Sequence, residues 1–317
     1  MGTVWFVLIA ALFTGYFVLE GFDFGVGALV RVLGRDERSR ATVVGTIGPV
    51  WDGNEVWLIT AAGAMFAAFP MWYATLLSGF YLPMLAILLA LIGRGVAFEF
   101  RGKRAEPWWR ARWDAVIAIG SLVPAFVWGL VFANIARGVP LTADHEYAGG
   151  LGDLLSPYAL LGGLAFLAVF VTHGAYFVAL KTDGPVRARA NALGRLLGPV
   201  AVVLLAAFLA GAGAGLLAAA AGIALLGAVV ANRFGREGGA FAGTAAAIAL
   251  TVAALFAGLH PAVLPSTSDP AGTLTVANAA SAPYTLKIMT WVAAVFAPIV
   301  LLYQGWTYWV FRKRLAA

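Results

Sequence analysis

The sequence predicts an all-α integral membrane protein with nine transmembrane helices. Of its 317 residues, 62% are hydrophobic and only 11% are charged, whereas soluble domains carry about a quarter charged residues. Its apolar runs reach the length of about 20 residues that a spanning helix needs. They show almost no alternation of polar and apolar residues, so they predict helices and not a β-barrel.

Nine apolar segments predict the nine helices. The first and fifth segments have the same orientation in this scheme, so the chain predicts two four-helix bundles followed by a ninth helix. The tripeptide Gly-Pro-Val occurs once in each half, at 48–50 and 198–200, which favours such a repeat. We divide the chain into 1–136, 137–260 and 261–317, the last being an outer loop, the ninth helix and the C-terminus. The predicted helices are 3–30, 42–69, 72–98, 113–136, 155–180, 193–211, 213–232, 240–259 and 285–310.

Basic residues collect in alternate loops of this scheme. Only Arg137 and Lys287, of the 21 basic residues, fall on the opposite side. The positive-inside rule therefore places the N-terminus outside and the C-terminus in the cytoplasm of a multi-pass membrane protein. The net charge of +6 is explained by topology, and a nucleic-acid partner is not indicated.

Four carboxylates lie in the first two predicted helices. Glu20 and Asp23 are three residues apart in the first helix and so share a face. Gly21 and Gly25 beside them form a Gly-x-x-x-Gly pattern, which lets another helix approach closely. This helix has no small-residue cleavage site, so we expect it to be retained and not removed as a signal peptide.

The second pair of carboxylates, Asp52 and Glu55, is again spaced by three residues and follows Pro49, which predicts a kink. Charge inside a bilayer costs at least about 2.5–3.5 kcal/mol per residue, so these groups need partners, water or protons. A proton route is one interpretation. The alternatives are hydrogen bonds to neighbouring helices, a cap on a helix broken near Gly53, or contacts with a partner subunit.

Other polar and aromatic residues support less specific interpretations. Trp51, Asn54 and Trp57 belong to the same stretch, and the deep indole N–H groups are expected to find polar partners while the rings pack in the core. Arg94 and Arg101 flank Glu99 at the inner end of the third predicted helix, which is typical of interfacial anchors. Asp114 at the start of the fourth helix suits the positive end of the helix dipole.

The chain is poor in ligands for redox cofactors. It contains no Cys and three His, and only His173 falls inside a predicted span, where hydrogen-bonded packing is a commoner role than haem or metal ligation. No P-loop and no nucleophile–base pair with recognisable spacing is present. The chain alone is therefore not expected to perform redox chemistry or to hold a metal.

Four stretches resemble subunit II of cytochrome bd-type quinol oxidases. They are GFDFGVGAL at 21–29, GPVWDGNEVWLITAAGAMFAAFPMWYA at 48–74, LSGFYLPM at 77–84 and TLKIMTWVAAVFAPIVLLYQGWTYW at 285–309. The resemblance implies a subunit of a terminal oxidase in the bacterial inner membrane. Such an oxidase oxidises a membrane quinol at the outer face and reduces dioxygen to water with protons from the cytoplasm. It also implies two four-helix bundles plus one helix.

The resemblance further implies that haem b, haem d and the quinol-oxidising loop belong to a partner, subunit I. Asp23 and Asp52 match acidic residues that the family associates with a polar route from the cytoplasm toward the haem site. Glu55 departs from relatives with Gln there and is a secondary candidate, with Glu20. A small single-helix subunit, lipid and quinone are further potential partners; the loop 260–284 differs from some members, which leaves a quinone on this subunit open.

Two other functions fit the same residues. A proton-coupled transporter would also place carboxylates on glycine-rich helices. A purely structural scaffold for a haem subunit would use the carboxylates as interface contacts. Co-purification with a haem protein distinguishes an oxidase subunit from a transporter. Neutral replacement of Asp23 and Asp52 distinguishes proton transfer from a purely structural role.

Overall fold

The computed structural model describes residues 1–213 and 215–316, which form eleven α-helices and one pair of short antiparallel strands. The helices are α1 (Gly2–Leu33), α2 (Glu37–Ile47), α3 (Trp51–Ala68), α4 (Pro70–Gly79), α5 (Tyr81–Arg101), α6 (Pro107–Arg137), α7 (Pro157–Lys181), α8 (Gly184–Ala212), α9 (Gly215–Arg233), α10 (Glu237–Leu259) and α11 (Pro283–Val310). The strands are β1 (Ala262–Leu264) and β2 (Leu274–Thr275).

Eight of the described helices are long and apolar enough to cross a membrane, namely α1 and α5–α11. The prediction of an all-α membrane protein is therefore confirmed. The second predicted span is the one that contains no such helix, because the polar N-terminal residues of α3 lower its mean hydropathy.

The second predicted helix, 42–69, is not continuous, and that prediction is wrong in detail. The chain forms α2 and α3, separated by a turn at 48–50. Pro49 has no N–H to donate to Gly45 O in the preceding turn. The turn is held by other backbone bonds: Val50 N donates to Ile47 O at 2.9 Å and Asn54 N to Val50 O at 3.0 Å. The kink predicted at Pro49 is thus a complete interruption.

The third predicted helix, 72–98, is also interrupted. It consists of α4 and α5, with Phe80 between them in a non-helical conformation. Pro83 explains the break, because a helix through this point would need its missing N–H to bond Gly79 O. The break lets Thr75 donate to the carbonyl of His145 at 3.0 Å, which ties α4 to the loop between α6 and α7.

Helix α1 lies at the centre of the molecule and packs against α3, α6, α7 and α10. Residues 20–27 are all buried. At the crossing with α7, a Cβ on Gly25 would lie 2.8 Å from the Cα of Gly174, and one on Gly21 would lie 2.7 Å from the Phe170 ring. The close helix approach predicted from the Gly-x-x-x-Gly pattern is confirmed, and α7 is the partner.

The two predicted outer loops pack on each other at one end of the bundle. Val139 N donates to Pro265 O and Thr267 N to Val139 O, both at 3.0 Å, and a ring nitrogen of His145 lies 2.9 Å from Gly272 O. The N-terminus lies at the same end, where Trp5 Nε1 donates to Leu286 O at 3.2 Å.

The opposite end carries most of the basic residues and the C-terminal segment. Leu315 N donates to Lys181 O at 2.8 Å, and Arg189 Nε donates to Leu33 O at 2.7 Å. Asp36 caps α2 by accepting from Ser39 N at 2.8 Å, and Ser39 Oγ bonds back to complete a capping box. These hydrogen bonds lower the pKa of the Asp36 carboxyl, because they stabilise its charged form.

Helix α11 is peripheral, with Leu286 its only buried residue. It touches the rest of the chain through polar contacts with α1 and α3 and through the segment that follows it. Its outward face carries large apolar side chains, such as Leu302 and Trp291, that are about two-thirds or more exposed.

Candidate functional site

A cluster of buried ionisable side chains lies where α1, α3 and α5 meet. Glu20 and Asp23 come from α1 and Arg94 from α5, and none of the three has measurable solvent exposure. The three-residue spacing on α1 places both carboxyl groups on the side that faces α3 and α5. The sequence therefore predicted correctly that Glu20 and Asp23 share a face.

Arg94 is the only cation paired with these groups in the described part of the chain. Its guanidinium forms an ion pair with Glu20, and the nearest oxygen of Glu55 on α3 is 3.9 Å away. It also lies over the rings of Phe24 and Phe98, at 5.0 and 5.2 Å from their centroids. Cation–π contacts of this kind strengthen when the cation is removed from water.

This position corrects the interpretation of Arg94 as an interfacial anchor. It lies two turns before the end of α5 and is completely buried. Arg101 does lie at the helix end, but it is only 7% exposed and pairs with Asp114 at 2.5 Å and Glu37 at 3.1 Å. Both arginines compensate carboxylates inside the protein.

Asp114 is likewise not at a helix start, because α6 begins at Pro107. It is completely buried, and Arg40 lies 3.6 Å from its second oxygen. Glu37 completes this ion-pair network by bonding Arg110 at 3.1 Å. The network joins α2, α5 and α6 at the basic end, and its bases outnumber its acids.

Asn54 holds Asp23 in place. Its amide donates to Asp23 Oδ2 at 2.7 Å, and its own oxygen accepts from Tyr308 at 2.8 Å and from Gln304 at 3.1 Å. Trp57 Nε1 donates to Gln304 Oε1 at 2.8 Å, which confirms the polar partner expected for this indole. These bonds are the main polar attachment of α11 to the cluster.

The cluster has more acid than base and is incompletely hydrogen-bonded. Three carboxyl groups face one guanidinium, and Glu20 Oε2, Asp23 Oδ1 and Glu55 Oε1 have no hydrogen-bond partner. Two nitrogens of Arg94 are also without one. Buried polar groups normally find partners, so the three carboxyl oxygens are the atoms able to bind protons, whereas the guanidinium nitrogens can only donate hydrogen bonds.

Burial of the carboxyl groups increases stepwise from the surface of the chain to Asp23. Asp52 at the start of α3 is exposed, the Glu55 side chain is 20% exposed, and Glu20 and Asp23 are fully buried. The sequence placed all four together, whereas in this chain Asp52 faces outward. Trp51 packs on Phe98 with ring centroids 4.9 Å apart, and Glu99 is exposed.

His173 occupies a separate, fully hydrogen-bonded position between α1, α7 and α10. One ring nitrogen lies 3.1 Å from Val18 O and the other 2.6 Å from Thr244 Oγ1. Because a carbonyl only accepts, Nε2 carries the hydrogen and Nδ1 accepts from the threonine. The ring also stacks on Phe241 at 4.5 Å. Neither nitrogen is free to bind a metal, which supports a packing role.

Sequence reasoning missed the contributions of Gln304 and Tyr308. Both are polar groups on a largely apolar helix, and their four-residue spacing places them on one face of α11, which was the available signal. It also missed that Arg94 belongs to the cluster. Among residues 1–213 and 215–316, no group of three or more His, Cys, Asp or Glu is arranged to hold a metal ion.

Comparisons with known proteins agree on one family. Residues 1–311 match the family described as cytochrome bd terminal oxidase subunit II. Cytochrome bd ubiquinol oxidase subunit 2 of Bacillus subtilis (strain 168) is 44% identical over 325 residues, covering 99% of this chain and 96% of that protein. Cytochrome bd-I ubiquinol oxidase subunit 2 of Escherichia coli (strain K12) is 36% identical, covering 96% and 93%.

A solved structure has the same fold. A chain in the structure of bd oxidase from Geobacillus thermodenitrificans superposes with a TM-score of 0.78, covering 98% of this chain and 99% of that one. The sequence identity is 17%, so this likeness bears on the fold alone.

Proposed function

The chain belongs to the family of cytochrome bd terminal oxidase subunit II, and from that membership we propose that its buried carboxyl cluster carries protons for the oxidase. The chain is a subunit of a quinol oxidase complex, an oxidoreductase that contains haem and lies in the bacterial inner membrane.

The excess of carboxyl groups over cations is the observation that carries the proposal. A buried ion pair that serves only as a structural contact is most stable when its charges balance and its hydrogen bonds are complete. Here one guanidinium faces three carboxyl groups, of which each retains an unbonded oxygen. Such oxygens can bind and release protons without breaking a hydrogen bond.

The order of burial suggests the direction of transfer. Asp52 lies at the surface of the chain, Glu55 is one helical turn further along α3, and Glu20 and Asp23 lie inside. Asn54 separates Asp23 from Tyr308, and an amide does not readily accept and release protons. We therefore place the route on the Asp52–Glu55 side and assign Asn54 to positioning Asp23.

The haem-bearing partner is proposed to cover the outward face of α3 and α11. A carboxylate facing lipid is costly, yet Asp52 is exposed on this face. Ile59, Phe66 and most of α11 are exposed around it. Contact with subunit I, which would hold haem b and haem d, would shield Asp52 from lipid and place it beside the haem-bearing subunit.

The remaining details of topology are proposed from charge and length. We propose that α2 and α3 together form the ninth span, and that α1–α6 and α7–α10 correspond to the two predicted bundles. The basic end would face the cytoplasm by the positive-inside rule, and the end with the two packed loops would face outward.

Single-cysteine labelling tests this orientation, because the chain contains no Cys. Asp144→Cys and Ala271→Cys, both at exposed sites in the packed loops, should react with a membrane-impermeant reagent in intact cells. Arg104→Cys and Arg236→Cys, exposed at the basic end, should react only after the membrane is opened. The reverse labelling pattern would place the basic end, and with it Asp52, at the outer face, where the route could not take protons from the cytoplasm.

Neutral replacements test the route. Asp23→Asn and Asp52→Asn preserve shape while removing the titratable proton, so the complex should assemble with normal haem content and consume oxygen more slowly per haem. A loss of about tenfold or more corresponds to a barrier increase of about 1.4 kcal/mol. Glu55→Gln should have a smaller effect. Glu106→Gln, an exposed carboxylate at the basic end, is the matched control.

A scaffold role predicts the opposite pattern. If the carboxyl groups only hold the assembly together, haem content and oxygen consumption should fall in parallel, so turnover per haem stays constant. Unchanged turnover per haem in both Asp23→Asn and Asp52→Asn would reject the proton route and leave a structural cluster.

A further inference from the structure

A cavity of about 320 Å³ lies between α2, α7, α10 and α11 at the basic end of the bundle. Its inner wall is apolar and includes the buried side chains of Val50 and Phe177 and the half-buried ring of Phe241. Its rim carries three cations, Lys181, Arg312 and Arg314. The cavity therefore presents a positively charged opening in front of an apolar interior.

The rim retains positive charge after its internal contacts are considered. The Lys181 ammonium donates to the carbonyls of Phe311 and Lys313, which are neutral acceptors. Arg312 donates to the carbonyl of Trp309 at 2.5 Å and lies over that residue's ring. Of the three, Arg314 is paired with a carboxylate, Asp183, at 2.9 Å.

Other charged groups around the cavity do not reverse this balance. Glu237 at the start of α10 lies 3.8 Å from Arg314, but it is bonded more closely to Arg187 at 2.8 Å. Guanidinium and ammonium groups with unused N–H donors suit phosphate oxygens. The rim is thus suited to a phosphate group with a negative charge.

We propose that this cavity binds an anionic phospholipid of the membrane leaflet at the basic end. Its phosphate would contact Lys181 and Arg312, and an acyl chain would fill the cavity and pack against Val50, Phe177 and Phe241. Basic pockets between membrane helices on the cytoplasmic side are suited to such head groups. A free phosphate would use the rim but leave the apolar wall unfilled, which is why we assign a lipid. The cavity shares Tyr308 with the carboxyl cluster, but its lining contains none of the carboxyl groups of the proposed proton route.

Lipid titration of the intact oxidase tests the proposal. The complex is purified through a tag on this chain, stripped of lipid with detergent, and titrated with phosphatidylglycerol or with phosphatidylcholine of identical acyl chains. Native mass spectrometry counts the lipids retained per complex. We expect one phosphatidylglycerol to be retained beyond the phosphatidylcholine background.

Two variants address the two parts of the site. Arg312→Gln removes a rim charge from an exposed position, and Leu180→Trp fills the cavity wall without changing any charge. Each should weaken phosphatidylglycerol binding about tenfold, which is the change that about 1.4 kcal/mol produces. Arg236→Gln, which removes an exposed charge at the same end outside the cavity, should have no effect.

Several results would overturn the proposal. Equal retention of phosphatidylcholine would show that charge does not select the ligand, and release of the lipid by millimolar inorganic phosphate would assign the rim to a free anion. Unchanged phosphatidylglycerol retention in Arg312→Gln would exclude this rim. If Leu180→Trp lowers the yield of assembled complex, Arg312→Gln decides alone, because its side chain lies on the surface.

Discussion

The tripeptide Gly-Pro-Val interrupts a helix in the first half of the chain and not in the second. At 48–50 it separates α2 from α3, whereas at 198–200 it lies inside the continuous helix α8. The residues that follow differ: Trp-Asp-Gly-Asn-Glu in the first half and Ala-Val-Val-Leu-Leu in the second.

This difference shows that the proline alone does not decide the local structure. A membrane helix stays continuous where the alternative exposes unsatisfied backbone groups to lipid. In the first half, Asn54 has side-chain partners on α1 and α11, Asp23 and Tyr308. In the second half the five residues after the tripeptide are all apolar and offer no such side-chain partners, and the helix continues through Pro199. Polar partners from other helices therefore accompany the break.

The two halves also treat buried polar groups differently. The cluster around Arg94 has excess acid and unbonded oxygens, whereas His173 in the second half has both ring nitrogens hydrogen-bonded. We interpret the first arrangement as one that functions through proton exchange and the second as one that stabilises packing. Four substitutions test this comparison. The first lies at the α1–α7 crossing, where the two halves pack against each other.

Gly25→Val should have the largest effect. A side chain at Gly25 would collide with the backbone of Gly174, so α1 and α7 could not pack and the halves would separate. We expect almost no assembled, haem-containing complex in detergent extracts. Gly222→Val is the control, because a Cβ at Gly222 meets no atom within 4 Å. Normal assembly of Gly25→Val would show that this crossing can widen without loss.

Arg94→Gln should destabilise the complex next most strongly. It leaves buried carboxyl groups without their cation, and breaking a buried pair costs about 3–5 kcal/mol. The thermal midpoint and the yield of assembled complex should fall together. The double variant Arg94→Gln with Glu20→Gln should recover part of both, because the unpaired carboxylate is gone. If the double variant is no better than the single one, the Arg94–Glu20 pair is not the source of the loss.

His173→Leu should destabilise moderately and leave turnover unchanged. It removes the hydrogen bonds to Val18 O and Thr244 Oγ1, each of which contributes about 0.5–1.5 kcal/mol, while Thr244 retains Phe241 O as an acceptor at 2.9 Å. Thr244→Val should cost less, since it affects one of the two bonds. The measurements are thermal midpoint and oxygen consumption per haem. Lower turnover per haem in His173→Leu at normal haem content would contradict its structural assignment.

Asp36→Ala should produce the smallest effect and a recognisable pH dependence. Asp36 caps α2 in the first half, whereas Asp183, at the corresponding start of α8, makes no cap bond and pairs with Arg314 instead. Because hydrogen bonds from Ser39 lower the pKa of Asp36, its stabilisation is present above the usual value of about 3.9. It is lost as the pH falls through the lowered pKa.

The thermal midpoint of Asp36→Ala should therefore lie slightly below that of the parent at neutral pH. The difference should persist down to about pH 4 and disappear at more acid pH. Asp183→Ala is the matched variant, because it removes an ion pair and no cap. A difference for Asp36→Ala that grows as the pH falls would contradict a lowered pKa for this carboxyl.

Much of the molecule followed from the sequence by itself. Apolar runs determine the spanning helices, because bilayer thickness fixes the length of each helix. Gly21 and Gly25 predicted the close helix crossing, and the spacing of Glu20 and Asp23 predicted their shared face, since helix geometry is local. The family resemblance in the block around Asp52 was confirmed by relatives covering nearly the whole chain.

Only the tertiary structure decided which charges meet. Arg94 follows Glu20 by 74 positions and Tyr308 follows Asn54 by 254, and no local pattern predicts pairings at such separations. From its place near other basic residues, Arg94 was interpreted as a helix-end anchor; burial against Glu20 shows that it is the counter-charge of the cluster. The composition of a helix determines whether it can enter the membrane. Compensation of a buried charge depends instead on which side chains of other helices lie next to it after packing.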